Sequence, residues 1–159
     1  MTDQTTVSAL QDALDTEHRA VYGYGVAGGR LTGDALSDAQ AALVVHANRR
    51  DVMTRLIRAG GATPVAAGPG YAPPHRVLSP TAAYVLAVGI EDACAASYTG
   101  IIAASRQHEV RRSAIGWLRD SATRSARWRV HGGPSSIATT PPLPGLDVAR
   151  VDTVRPTPT

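Results

Sequence analysis

Four long stretches of the chain carry apolar residues at alternating three- and four-residue steps, the spacing of one face of a helix. They cover residues 7–30, 34–59, 80–105 and 108–130. Thr32-Gly33-Asp34 separates the first two stretches and Gly60-Gly61 ends the second. Ser79-Pro80 supplies a capping residue and a first-turn proline for the third. The pattern predicts an all-α chain of four helices.

The boundary between the third and fourth helices is the least marked, because no Gly or Pro lies between Ile101 and Ser113. Ser105 is the predicted N-cap of the fourth helix. One continuous helix is the alternative, but it would be far longer than helices of single domains usually are.

The proline-rich connection between helices two and three decides the predicted topology. It spans about 18 residues, which cover roughly 60 Å when extended, whereas a helix of about 25 residues is roughly 37 Å long. The connection, within residues 60–79, can therefore run the full length of a bundle. We predict an antiparallel four-helix bundle of two hairpins joined by this long crossover, which is the ferritin-like arrangement.

Length and composition suit one globular domain. The chain has 159 residues, of which 43% are hydrophobic and 18% charged, and it contains no Phe. We expect the bundle within residues 1–132 and a proline-rich tail within residues 133–159. In this tail, Leu143, Leu146 and Val148 are expected to dock the first part on the bundle, with disorder beyond it.

Cys94 is the only cysteine, which excludes an intrachain disulfide and a cysteine-based metal site. The first residues are polar and carry no signal for export. No uninterrupted apolar run approaches the length that spans a membrane. These features predict a soluble cytoplasmic protein without a membrane partner.

Polar side chains interrupt three of the apolar stripes. Glu17 lies on the stripe of helix one, His46 and Arg50 on that of helix two, and Glu91 on that of helix three. Each lies near the midpoint of its helix, and the midpoints of antiparallel helices of similar length share one depth. We therefore expect a buried polar network of these four residues in a single layer.

This layer allows two interpretations, because an uncompensated buried charge costs many kcal/mol. Glu17, His46 and Glu91 could ligate iron, manganese or zinc. Alternatively, the two carboxylates, a guanidinium and a protonated imidazole neutralise one another. Arg50 favours the metal-free network, since its charge would repel a metal ion, and we expect no cofactor.

Several motifs at fixed spacing resemble one known family. They are Leu10-Gln-x-Ala-Leu-x-x-Glu17-His18, Val21-Tyr22-x-Tyr24-Gly25, His46-x-x-Arg49-Arg50-Asp51, Gly60-Gly61-Ala62-Thr63-Pro64, Glu91-Asp92 with Tyr98, and Leu143-Pro-Gly-Leu-Asp147. Over residues 7–147 the chain resembles a bacterial ferritin-like family catalogued as domain of unknown function 4439. The resemblance implies the four-helix fold and carries no established activity.

The wider ferritin-like superfamily binds two metals with one Glu from each of two helices and a Glu-x-x-His motif from each of the others. Glu17 and Glu91 match the single carboxylates, and His46 keeps the histidine of one motif, where Leu43 replaces its Glu. Helix four offers no comparable motif. The resemblance therefore implies a degenerate metal site with at most three of six ligands, which argues against di-iron oxidase or iron-storage chemistry.

Four further residues could line a small pocket beside the polar layer: His18, Tyr22, Tyr24 and Tyr98. Hydrogen-bonded core residues are the favoured alternative. The run from Gly23 to Gly28 matches GxGxxG but lacks the preceding strand that a dinucleotide site requires, so close helix contact or a bend explains it better. Cys94 is interpreted as an inert small hydrophobe.

Helix four is rich in arginine, with seven between residues 106 and 131 against Glu109 and Asp120. A solvated face, or a surface that meets an acidic partner, is favoured over nucleic-acid binding, because no nucleic-acid motif accompanies these residues. Three functions remain: a non-enzymatic bundle that acts through a protein partner or self-association, a metal-binding protein, and a binder of an acidic partner.

Overall fold

The computed structural model describes residues 3–133, and within them the chain forms four helices and no strand. The helices are α1, Gln4–Gly28; α2, Gly33–Ala59; α3, Pro80–Ala104; and α4, His108–Gly132. The predicted all-helical, four-helix architecture is confirmed. The predicted docking of Leu143, Leu146 and Val148 lies outside the described residues.

Local capping explains where the helices begin. Asp3 accepts a 2.8 Å hydrogen bond from the Thr6 backbone N–H at the start of α1, so α1 begins a few residues before the predicted position. At the start of α3, the Ser79 hydroxyl accepts a 3.2 Å hydrogen bond from the Ala82 N–H, and Pro80 occupies the first turn. Both caps satisfy backbone donors that have no partner inside the helix.

The chain breaks between α3 and α4, so the single continuous helix is wrong. Ser105 is the C-cap of α3, and the N-cap of α4 is Gln107 rather than Ser105. The Ser105 hydroxyl instead accepts a 3.2 Å hydrogen bond from the Gln107 N–H. This side-chain-to-backbone bond stabilises a turn where neither Gly nor Pro is present.

The helices pack around α1 and α3. Helix α1 contacts both α2 and α3, and α3 also contacts α4. The core forms two apolar clusters, one including Leu10, Met53 and Ile101 and the other including Ala39 and Leu86. Along α2 and α3, His46 and Glu91 lie between the members of the two clusters, so the polar layer separates them there.

The proline-rich connection follows α1 along much of its length. The Gln11 side chain donates to the Thr63 carbonyl at 2.7 Å and accepts from the Val65 N–H at 2.8 Å. Near the other end of α1, the Arg30 guanidinium donates to the Val77 carbonyl at 3.1 Å. These bonds hold the connection against the bundle over about 28 Å of helix axis.

Helix α3 is the most apolar of the described helices. It is the one helix among them long and apolar enough, by length and composition, to cross a membrane, with a mean hydropathy of 1.4 over its most apolar window. The sequence predicts no membrane-spanning segment, because Glu91 and Asp92 interrupt the apolar run of α3. Glu91 is fully buried at the middle of α3, as suits a core helix of the bundle.

Candidate functional site

Three helices each place one ionisable side chain at the centre of the bundle. Glu17 from α1, His46 from α2 and Glu91 from α3 all have no solvent exposure. His46 lies between the two carboxylates, with Nδ1 2.8 Å from Glu17 Oε2 and Nε2 3.2 Å from Glu91 Oε1. The structure thus brings together three of the four residues placed in one layer from their stripe positions.

The arrangement around His46 requires the charged form of its ring. Both ring nitrogens face carboxylate oxygens, and only the imidazolium can donate a hydrogen bond from each. Burial alone disfavours that charge. The contacts with Cys94, Glu17 and Glu91 outweigh burial and hold the pKa of His46 well above its ordinary value of 6.5. His46 therefore acts as a buried cation that joins two anions.

Two tyrosine hydroxyls complete the hydrogen bonds of the carboxylates. Tyr24 donates to Glu91 Oε1 at 2.6 Å, and Tyr98 donates to Glu17 Oε1 through a short bond. The Trp128 indole N–H in turn donates to the Tyr24 hydroxyl at 2.8 Å. Burial, reinforced by the nearby negative charges, raises the pKa of both tyrosines well above 10.0. Both therefore remain neutral donors.

Helix α4 supplies a second cation to the cluster. Arg124 Nε donates to Glu91 Oε1 at 2.7 Å. Burial by itself would raise the pKa of Glu91, but the hydrogen bonds and charges of His46 and Arg124 lower it to about 2. From the sequence, Arg124 counts only among the seven arginines between residues 106 and 131, interpreted as a solvated face or a surface for an acidic partner, and no local pattern distinguishes it from the others.

Arg50 is not part of the layer, and the neighbouring Arg49 lies beside it instead. The Arg50 side chain is 33% exposed and bonds Asp51 at 2.9 Å. Arg49 is buried and donates to the Tyr98 hydroxyl at 3.2 Å and to Asp120 at 3.0 Å. At about 100° per residue, Arg49 lies roughly 60° to one side of His46 and Arg50 roughly 40° to the other. Only the side of α2 that carries Arg49 faces α4. The spacing of residues along α2 does not show which side that is.

Cys94 also lies at the cluster, a position that the sequence analysis did not assign to it. Its sulfur lies 3.8 Å from His46 Nδ1. One potential ligand atom from each of Glu17, His46 and Cys94 lies within 4.8 Å of the others. Burial raises the pKa of the Cys94 thiol, so the sulfur is a neutral thiol in this arrangement. The sequence does carry a signal for this position: Cys94 follows Glu91 by three residues, so the two side chains lie on the same face of α3.

The two oxygens of Glu91 have very different surroundings. Oε1 accepts hydrogen bonds from His46, Tyr24 and Arg124. Oε2 is buried and has no hydrogen-bond partner within residues 3–133. A buried carboxylate oxygen without a donor is unusual, and it marks the place in this cluster where a water or a cation would gain most.

The four residues proposed to line a pocket divide between two places. Tyr24 and Tyr98 lie in the buried cluster. His18 lies beneath the proline-rich connection, where its Nε2 is 3.2 Å from the Val65 carbonyl. Tyr22 is 42% exposed and makes an edge contact with Tyr71. These residues therefore do not form one common pocket.

The GxGxxG run lies inside α1, so it forms no phosphate-binding loop. A Cβ at Gly23 would come within 2.6 Å of the Ile90 side chain, whereas a Cβ at Gly25 would meet nothing within 4 Å. Close helix contact thus explains Gly23 and leaves Gly25 without a packing reason.

The arginines of α4 do not form one solvated face. Arg124 and Arg129 point into the bundle, and Arg129 bonds Asp92 at 2.8 Å. Arg111 donates to the Ile102 carbonyl at 2.6 Å. Arg119 is 82% exposed. The charge available to an acidic partner is therefore smaller than the sequence suggested.

Together these observations define a four-helix protein with a buried ionic cluster. Residues 9–148 match the family model described as "Domain of unknown function (DUF4439)", and the chain belongs to this family. It is also similar to the crystal structure of a conserved hypothetical protein, rv2844, from Mycobacterium tuberculosis. That similarity has a TM-score of 0.78 and 30% sequence identity over 81% of this chain and 98% of that chain. No curated protein matches the chain.

Proposed function

We propose that this protein is a non-enzymatic, ferritin-like bundle in which an ionic network replaces the metal centre, and that it acts by binding a protein partner or a further copy of itself. The order of the contacts between α1 and α3 supports an antiparallel arrangement of these two helices. Tyr24 meets Glu91, whereas Tyr98, later on α3, meets Glu17, earlier on α1. The cytoplasmic location and the absence of membrane and nucleic-acid partners remain predictions.

The observation that carries this proposal is His46 held between two carboxylates. Its imidazolium and the Arg124 guanidinium balance the charges of Glu17 and Glu91. Outside them, Arg49 is balanced by Asp120. The cluster is neutral without a metal, and each buried charge has an opposite charge within hydrogen-bonding distance, as buried ions require.

Burial argues against catalysis at this cluster. Glu17, His46 and Glu91 have no solvent exposure, so a substrate could touch them only after a helix moved. Their role in the folded protein is instead to fix how the helices meet, because a charged triad in the core tolerates few alternative registers.

Metal analysis tests the proposal. Protein purified without chelator should contain iron, manganese and zinc at far below one atom per chain, and its melting temperature should not change with EDTA. Stoichiometric metal that is lost in Glu17→Gln but kept in Glu109→Gln would overturn the proposal. Glu109 is a suitable control because it is 78% exposed.

A second candidate function is metal binding, favoured by the unpartnered Glu91 Oε2 and the ligand atoms of Glu17, His46 and Cys94. Nitrogen, sulfur and carboxylate donors of this kind suit zinc. Binding would require loss of the proton on His46 and of the thiol proton on Cys94, since metal ligands must be deprotonated. Burial, which raises the pKa of Cys94, opposes that loss.

Cobalt(II) distinguishes the two candidates. If the second is correct, titration with cobalt should give an absorption band from thiolate-to-cobalt charge transfer that is absent from Cys94→Ser. If the network is metal-free, neither protein should give the band at stoichiometric cobalt.

A further inference from the structure

A cleft of about 390 Å³ opens between α1, the proline-rich connection and α3. Tyr22 and Val85 on its walls are 42% and 45% exposed. The Tyr71 ring meets the Tyr22 ring edge-on, with centroids 5.6 Å apart. Pro73 continues the wall along the connection. The cleft therefore presents aromatic and proline surface of the kind that binds apolar, extended chain.

The outer face of α3 continues this apolar surface. Between Val85 and Gly100 its exposed positions recur at helical steps and carry no polar side chain: Val85, Gly89, Ala93, Ala96 and Gly100. A contiguous apolar surface that is exposed often marks a place where another segment or molecule binds. Within the described part of the chain this face is open, so a segment outside residues 3–133 could cover it.

The next segment of the same chain begins beside this face. The His131 ring, in the last turn of α4, stacks on Tyr84 with centroids 6.0 Å apart, and Tyr84 adjoins Val85. From Gly133 to Pro141, extended chain covers about 26 Å, more than the roughly 10 Å diameter of a helix. Residues from Pro141 onwards can therefore reach the cleft.

The family match and the chemistry of this segment point to the same occupant. The match extends to residue 148, well past the end of α4, so residues 134–148 belong to the family domain. They include Pro141, Pro142 and Pro144, which favour polyproline II conformation. That helix has three residues per turn, so Leu143 and Leu146 would share one side. Aromatic-lined grooves recognise such segments.

We propose that residues 141–146 dock in the cleft between α1, the proline-rich connection and α3, with Leu143 and Leu146 directed at its apolar walls. The segment covers the exposed end of α3 near Val85 and Gly89. This inference is independent of whether the buried cluster binds a metal.

Disulfide trapping in the full-length chain tests the proposal. Val85→Cys combined with Leu143→Cys should form an intrachain disulfide on mild oxidation, because docking brings the two positions within bridging distance. Val44→Cys combined with Leu143→Cys is the matched control. Val44 is 56% exposed on α2, and Asp38, about two turns earlier, bonds His131 at 3.0 Å, so it is within comparable reach of the end of α4.

The expected result is a yield of the Val85→Cys pair at least several-fold above that of the control. Equal yields, or none with Val85→Cys, would overturn the proposal. A predominant intermolecular disulfide between Val85→Cys chains would also overturn it, because a second copy would then cover the face.

Binding of an apolar fluorescent dye gives a second measurement. The dye should bind the double variant Leu143→Asp, Leu146→Asp more strongly than the unsubstituted chain, because the cleft is then open. The control Val151→Asp, Val154→Asp alters residues beyond the family match and should behave like the unsubstituted chain. Equal dye binding to all three proteins would contradict docking.

Discussion

At the scale of single residues, the side of α2 that faces a neighbouring helix decides which arginine is buried beside the cluster. Arg49 and Arg50 are adjacent, yet Arg49 is buried among polar groups of α3 and α4 and Arg50 is partly exposed. Arg49 binds the Tyr98 hydroxyl, Ser121 and Asp120. Without the Arg49 side chain, its partners would lose a hydrogen bond while remaining away from water, and this costs free energy.

Arg49→Ala should therefore destabilise the protein by roughly 1.5–3 kcal/mol, the range for hydrogen bonds to charged groups. Arg50→Ala should change the free energy of unfolding by less than about 0.5 kcal/mol, because a partly exposed ion pair contributes little. Urea unfolding followed by circular dichroism measures both. Similar losses in the two variants would mean that Arg49 does not occupy the buried position.

At the scale of secondary-structure elements, helix α3 combines a central place in the bundle with three side chains of the buried cluster. It packs against both α1 and α4 and supplies Glu91, Cys94 and Tyr98 to the cluster. The start of α3 is set by Ser79 and Pro80. This cap therefore stabilises the helix that carries Glu91.

Ser79→Ala should lower the free energy of unfolding by about 1 kcal/mol, through loss of the N-cap hydrogen bond to Ala82. Thr32→Ala is the matched control, because Thr32 is the N-cap of α2 but makes no side-chain capping bond. Thermal unfolding of the two variants tests the difference. An equal effect at both caps would show that the bond at Ser79 contributes nothing.

At the scale of the whole molecule, the cluster links stability to pH. The pKa of Glu91 is about 2 in the folded protein against 4.5 ordinarily. Its stabilisation, roughly 3 kcal/mol, is therefore full above pH 4.5 and is lost as the pH falls towards 2. The pKa of His46 is raised above 6.5, so its contribution is full below pH 6.5 and is lost as the pH rises through its folded value.

The free energy of unfolding should consequently be greatest between about pH 4.5 and 6.5. Denaturant unfolding across pH 2 to 9 measures this profile. His46→Gln should remove most of the decline on the alkaline side, whereas His108→Gln, at a position 76% exposed, should leave it unchanged. Stability that rises steadily from pH 6.5 to 9 would contradict a buried imidazolium.

Much of this architecture follows from local sequence alone. The four helices, the breaks at Gly33 and Gly60, and the positions of Glu17, His46 and Glu91 on apolar stripes could all be predicted, because helical period and capping act within a few residues. The sequence also indicated that these three side chains lie near the middle of their helices.

The tertiary structure alone decided how the charges are compensated. Arg49 rather than Arg50, Arg124 from the arginine-rich α4, and Cys94 beside His46 all depend on how each helix is rotated about its axis and which neighbour covers each flank. The helical period identifies the apolar face of a helix. It carries no information on which helix packs against the edges of that face, so the arginines of the cluster become known only when all four helices are in place.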